Sequence, residues 1–383
     1  MLSIHFGNLC RMEQTIASPL FLPLIGIFVL KISMLLLVNL KMSLMQELKP
    51  KFNKPISIVI CARNESANLM KFLPLIMIQD YPDFEVVIVN DRSLDDTADT
   101  LRAFEQKHSN LKVTVIQEND KFNFNKKFAL TIGIKATSYD YILFIDADCK
   151  PISNQWLKNM VAPFQEDKSI VVGYGGYSAE TGIVNKMIRA ETHLIAQHYF
   201  GIGKLGIPYM AVGRNMAYNK NLFFEGKGFS NHQHINSGDD DLFMNENANQ
   251  TNTAFIFDSN SYTQSTPKKT WAEYLEQKRR HLTTGVRYKL TTQVLLSLIT
   301  LVNLTFYLFA GFCLFIGSVN LAALIALILV FVASMAISYK GLKTSKSLDL
   351  LPWIFICDIF IILFYPFALC YNYLQSGSLW KNY

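Results

Sequence analysis

The sequence predicts an α/β fold built on a parallel sheet, with membrane spans on either side of it. Three observations lead there. Residues 55–258 alternate strand-like and helix-like stretches. The strand-like stretches are short, continuous apolar runs, the pattern of strands covered on both faces. The excess of apolar residues gathers near the N-terminus and after about residue 292, away from that alternating middle.

Taken in order, residues 1–17 are a tail of mixed composition, and residues 18–40 are apolar for long enough to cross a bilayer. Lys31 interrupts that span, and a charge there is costly unless it snorkels or pairs. The apolar part is too long for a signal peptide, and no small-residue cleavage site follows. Lys41, Lys49, Lys51 and Lys54 come next, so the positive-inside rule puts residue 41 onward in the cytoplasm. Ile56–Cys61, Glu85–Asn90, Lys112–Gln117 and Tyr141–Ile145 read as strands. Ala67–Ile78, Asp95–Lys107 and Lys126–Ala136 read as helices between them. That alternation predicts a parallel sheet with helices on both faces. Beyond Asp148 the pattern loosens into a helix over Ile183–Phe200 and a glycine-rich loop from Gly201 to Gly213.

Residues 54–267 thus form a cytoplasmic domain. Residues 268–290 are a basic amphipathic helix at the membrane surface, with Trp271, Tyr274 and Leu275 among the lysines and arginines. Three further spans are expected at 292–317, 319–338 and 351–374. The first two make a tight hairpin, and Lys340, Lys343 and Lys346 lie in a short cytoplasmic loop. One span before the domain and three after it keep the domain and the lysine loop on one side, as in a protein of the plasma (inner) membrane.

Composition also excludes. The net charge of +6 suits an anionic lipid surface or a phosphorylated substrate, and no Lys/Arg run forms a nucleic-acid recognition element. Six cysteines lack metal-type spacing and read as packing residues in a reducing compartment. His193, His198, His232 and His234 lack a metal-like carboxylate pattern. Four spans with no intramembrane polar pathway argue against a transporter.

The chemistry gathers where strands end. Tyr141–Ile145 runs into Asp146-Ala147-Asp148, two carboxylates at the carboxyl end of a strand, where ligands of open α/β sheets bind. Two crowded carboxylates call for a positive partner, and a hard divalent cation (Mg²⁺ or Mn²⁺) shared with a diphosphate is the natural one. Asp-x-Asp alone is more simply a polar turn. Glu65 follows the first strand and Asp91 ends the second, which lines acids along one rim. Asp239, Asp240 and Asp241 open a further helix, and Gln277 and Arg280 share one helix face.

Together, residues 54–290 resemble the family 2 glycosyltransferases, whose nucleotide-sugar-binding domain has the GT-A (Rossmann-like) fold. The resemblance implies that Ala62, Arg63, Asn64, Glu65 and Asp91 hold the nucleotide, with Lys126 and Asp146 beside it. Asp146 and Asp148 match the family's Asp-x-Asp metal motif. Matching on Leu242 puts the general base at Asp239, and matching on the acidic pair puts it at Asp240. Gly213 and Asn215 fall in the segment lining the acceptor pocket. Gln277-Lys278-Arg279-Arg280-His281 resembles Gln-x-x-Arg-Trp, with His281 where Trp is expected. The implied activity is inverting, metal-dependent hexosyl transfer from a nucleotide-diphosphate sugar to a lipid or lipid-linked glycan acceptor at the membrane. A processive polysaccharide synthase and an inactive nucleotide-sugar-binding partner subunit are the alternatives, and His281 weighs against long-chain synthesis.

Overall fold

Ile56, Ile58, Val59 and Ile60 leave their strand no polar face, so it is stable only with both faces covered. In the computed structural model this strand, β1 (Ile56–Ala62), is buried throughout except for half-buried Cys61. Each such side chain removed from water contributes ~1.5–3 kcal/mol. The structure describes residues 18–45, 49–118, 125–166, 168–235, 237–316 and 319–374, so the expected 1–17 tail lies outside the described residues.

Around β1 the chain builds α2 (Ser66–Met77), β2 (Phe84–Asp91), α3 (Thr97–Glu105), β3 (Leu111–Ile116), α4 (Lys126–Ala136) and β4 (Tyr141–Phe144) after an initial helix, α1 (Phe21–Ser43). β5 (Cys149–Pro151), α5 (Trp156–Val161), β6 (Ile170–Val172), β7 (Gly175–Tyr177) and α6 (Ile183–Lys204) follow. Next come β8 (Met216–Asn219), α7 (Lys220–Glu225), α8 (Asp241–Asn247), β9 (Thr253–Phe255) and β10 (Thr263–Ser265). The chain then forms α9 (Trp271–Gly285), α10 (Leu290–Ile316), α11 (Asn320–Thr344) and α12 (Trp353–Leu374).

The main sheet has the order β3-β2-β1-β4-β8-β6-β9, and a small sheet has the order β5-β10-β7. β1 pairs parallel with both β2 and β4. The strand order therefore reverses between β1 and β4, and a switch of this kind opens a crevice at the carboxyl ends. The all-parallel expectation needs correcting: β8 runs antiparallel to β4 and β6, which makes the sheet mixed. Strands of three and four residues carry no periodic signal to show their direction.

Close approach requires glycine at two positions. A Cβ at Gly133 would lie 2.8 Å from Val59 Cγ1, so α4 settles tightly on the sheet. A Cβ at Gly201 would lie 2.1 Å from the Val38 carbonyl oxygen. Gly201 is thus a helical contact between α6 and α1, and the loop expected from Gly201 begins only after Lys204.

Among the described residues, four helices are long and apolar enough to cross a membrane: Phe21–Ser43, Leu290–Ile316, Asn320–Thr344 and Trp353–Tyr371. Lys340 and Lys343, expected in a loop, lie in α11, whose C-terminal carbonyls favour cations. The spans also hold polar groups. Lys31 is fully buried, its Nζ 2.5 Å from Asp358 Oδ2 on α12 and 2.6 Å from Asn303 Oδ1 on α10. The Tyr307 hydroxyl donates to the same Asp358 oxygen at 2.6 Å. The bundle thus contains a knot of mutually bonded polar side chains, and Lys31 meets its cost by pairing.

Candidate active site

Asp146 lies just beyond β4 and Lys126 opens α4, and the helix starts there because the Asn125 side chain caps it by accepting from Phe128 N at 3.0 Å. That cap aims Lys126 across the crevice. Its Nζ lies 3.0 Å from Asp146 Oδ1 and 3.0 Å from Asp239 Oδ2. Burial opposes the charge on Lys126, but Asp146, Asp239 and Asp240 outweigh it and raise its pKa well above the usual lysine value. Burial likewise opposes ionisation of Asp146, and Lys126 overcomes it, holding that carboxyl below its ordinary value. Asp148 is pushed up, by burial and then by Asp146. Lys126, Asp146, Gly213, Asp239 and Asp240 share one pocket, floored by Cys61 and Tyr218.

Asp146, Asp148 and Cys149 offer ligand atoms within 4.8 Å of one another. Burial drives the Cys149 thiol well above its ordinary pKa; its Sγ lies 3.2 Å from Asp148 Oδ1 and 2.8 Å from Ser265 Oγ. A protonated thiol is a poor ligand, which leaves two carboxylates, and that donor set fits a hard cation such as Mg²⁺ or Mn²⁺. Glu65 faces the same place: burial raises its pKa first, and Asp148 and Asp146 add to the rise.

The turns after β1 and β2 are laced together. Ala62 ends β1, buried, and Arg63 and Asn64 are exposed. Asn64 takes a left-handed φ of 57°, its N–H donates to Ser93 Oγ at 3.0 Å, and its Oδ1 accepts from Leu94 N at 2.7 Å. The Asp91 carboxylate is held by its neighbour Arg92 at 2.8 Å.

The three acids at α8 separate by role. Asp240 accepts from Gly213 N at 2.7 Å with one oxygen and from Asp241 N at 2.8 Å with the other, so it caps the helix. Asp241 accepts from the Tyr288 hydroxyl at 2.6 Å and from the Thr284 hydroxyl, which ties α8 to α9. Asp239 has the pocket and Lys126. Burial, followed by Asp239 and Asp241, raises the Asp240 pKa to about 7. A folded-state value above the unfolded one means that the native state holds the proton more tightly. Stability from this group is therefore full below about pH 4 and lost as pH rises towards 7. The metal-free protein is expected to melt at least ~2–4 °C lower at pH 7.5 than at pH 5 through this group, and Asp240→Asn should flatten that slope. A melting series in detergent checks it.

Gln277 Nε2 donates to the Tyr177 hydroxyl at 3.1 Å, and Arg280 lies one turn further along α9. Asn215 is not among the residues that line the pocket. It is fully buried, accepting from Trp156 Nε1 at 2.9 Å and donating to the Tyr174 and Ser261 carbonyls at 2.8 and 2.9 Å. It braces the segment that carries Gly213.

The comparisons agree with this geometry. The profile described as "Glycosyl transferase family 2" matches residues 57–227. The chain carries a family 2 glycosyltransferase domain. Its fold is GT-A. Over 93 residues it is 34% identical to poly-beta-1,6-N-acetyl-D-glucosamine synthase of Staphylococcus epidermidis, covering 24% of this chain and 21% of that one. Glycosyltransferase AglE of Haloferax volcanii is 31% identical over 109 residues, or 28% of this chain and 34% of the other. The matches thus span a fifth to a third of those relatives. Mannosyltransferase PcManGT from Pyrobaculum calidifontis, solved with GDP-Man and Mn²⁺, superposes over 96% of this chain and 100% of its own at a TM-score of 0.57 and 16% identity, which bears on fold alone.

Within the transferase domain, sequence reasoning passed over Arg214 and Tyr177. Arg214 donates to the Gly175 carbonyl at 2.6 Å and to the Tyr177 hydroxyl at 3.3 Å, with its guanidinium 4.5 Å over the Tyr177 ring. Charge balance was the available signal, since Glu65, Asp146, Asp148 and Asp239 on one rim need more than Lys126. Lys127 also went unassigned. It turns inward and donates to His232 Nδ1 at 2.7 Å; burial and Lys127 hold the His232 pKa near 4, so that ring is the neutral acceptor.

Proposed function

We propose that the chain is an inverting, metal-dependent hexosyltransferase of the plasma (inner) membrane. It takes a nucleotide-diphosphate sugar from the cytoplasm and a lipid or lipid-linked glycan as acceptor. The observation that carries this reading is the bridging position of Lys126, 3.0 Å from both Asp146 and Asp239. Lys126 stands between the carboxylate assigned here to the diphosphate side, Asp146, and the one assigned to the base, Asp239, which supports the reading.

In this reading the turn Ala62–Glu65 and Asp91 hold the nucleotide. Asp146 and Asp148 hold Mg²⁺ or Mn²⁺, which when bound supplies Lewis-acid stabilisation of the departing diphosphate. Lys126, Arg214, Gln277 and Arg280 supply fixed positive charge and donors on the same side. Asp239 accepts the proton of the acceptor hydroxyl as its oxygen bonds to the anomeric carbon and the bond to the diphosphate oxygen breaks. Attack opposite the leaving group inverts that carbon. Gly213, held by Asp240, lines the acceptor side. Asp241 ties the acidic end of α8 to α9, which packs on the last membrane helix, and this favours an acceptor delivered from the bilayer.

The test is a panel of nucleotide sugars scored for thermal stabilisation with Mn²⁺, followed by transfer assays with the stabilising donor. Asp148→Asn is expected to remove the Mn²⁺-dependent part of the stabilisation and to lower transfer at least ~100-fold. Full turnover in that variant would sink the metal assignment. Similarity to a polymer synthase makes product sizing worthwhile, because long polymer would replace single transfer with processive synthesis.

A further inference from the structure

α9 works with two faces. Gln277 and Thr284 point to the site, where they bond Tyr177 and Asp241. Trp271, Tyr274 and Lys278, at i, i+3 and i+7, form the adjoining face, about a quarter-turn round the helix. Tyr274 stacks on Phe364 of α12 with centroids 5.4 Å apart and planes at 19°, and Trp271 lies 5.8 Å from Phe360. Behind this face is Glu191, in the middle of α6 and 0% exposed. Its Oε1 receives Lys278 Nζ at 2.5 Å and also accepts from the Tyr365 hydroxyl of α12.

A wholly buried carboxylate is an expensive way to join three helices, since apolar side chains of similar volume pack at least as well. An apolar joint, however, tolerates rotation and sliding, and an ion pair closed by a third donor does not. Lys278 is the immediate neighbour of Gln277, so whatever sets the rotation of α9 at one sets it at the other. We infer that Glu191 is a positioning residue. Through Lys278 it fixes the rotation and depth of α9 on α12 and so holds Gln277 and Arg280 towards the diphosphate. This rests on the transferase reading, and it makes Gln277 and Arg280 answerable to the last membrane helix.

Glu191→Gln keeps size and removes the charge. The probes are UDP and GDP, each with Mn²⁺, titrated into the purified full-length protein. The nucleotide that the parent binds is expected to bind about tenfold more weakly to Glu191→Gln. In a Gln277→Ala/Arg280→Ala background the same change should weaken binding less than about twofold. Amide exchange over 271–285 should rise about tenfold or more while β1 and β2 stay protected. The pair Glu191→Leu/Lys278→Met guards against misfolding: it should restore the melting temperature and leave nucleotide binding weak. Equal loss in both backgrounds, unchanged exchange in α9, or binding restored by the apolar pair would each overturn the inference. A parent protein that binds neither nucleotide would overturn the transferase reading itself, and with it the role of Glu191 at the diphosphate, whereas exchange in α9 would still report its anchoring.

Discussion

Asp239→Asn is expected to yield a folded protein that binds its donor and transfers about 10³-fold less sugar. The acid is singled out by what its neighbours already do. Both oxygens of Asp240 accept backbone N–H groups, and Asp241 is closed by Thr284 and Tyr288. Of the three, Asp239 is the one that pairs with Lys126 across the pocket. The amide keeps the shape and removes the proton acceptor, so donor affinity should change by no more than about threefold while the rate collapses. Transfer rate and donor titration measured on the same preparation check both halves. Turnover within tenfold of the parent would remove Asp239 from the base role, and Asp240→Asn would then become the variant to examine.

Lys31→Met should cost about 3–5 kcal/mol, because it leaves the Asp358 carboxylate without its cation inside the helix bundle. Lys31→Met/Asp358→Leu should recover most of that loss, since an apolar pair of similar volume needs no compensation. The single variant should melt roughly 5–15 °C lower in detergent and the double variant close to the parent. Equal melting of parent and single variant would show that Tyr307 suffices to hold Asp358.

Much of the architecture was legible before any coordinates. Continuous apolar runs identified β1, β2 and β4, and the acids at their ends marked the crevice, because burial on both faces and ligand binding at strand ends leave local traces. The spans were legible for the same reason. What escaped was whatever depends on a distant partner. Lys31 looked like a blemish because Asp358 stands 327 positions away. Asn215 looked like a site residue, and only Trp156, Tyr174 and Ser261 reveal it as a brace. Arg214 and Glu191 gave no local sign because their partners lie on other elements. The direction of β8 was hidden in four residues.

The Lys31–Asp358 pair also sets an order of events during synthesis. At roughly 5–20 residues per second the ribosome needs roughly 15–65 s to reach Asp358 after Lys31 has been made. Throughout that interval the first span carries an uncompensated ammonium, which favours a shallow seat with the side chain reaching for the headgroups. Its final depth is set only when the last span arrives. The transferase domain, lying between the two in the chain, is complete before its membrane anchor is.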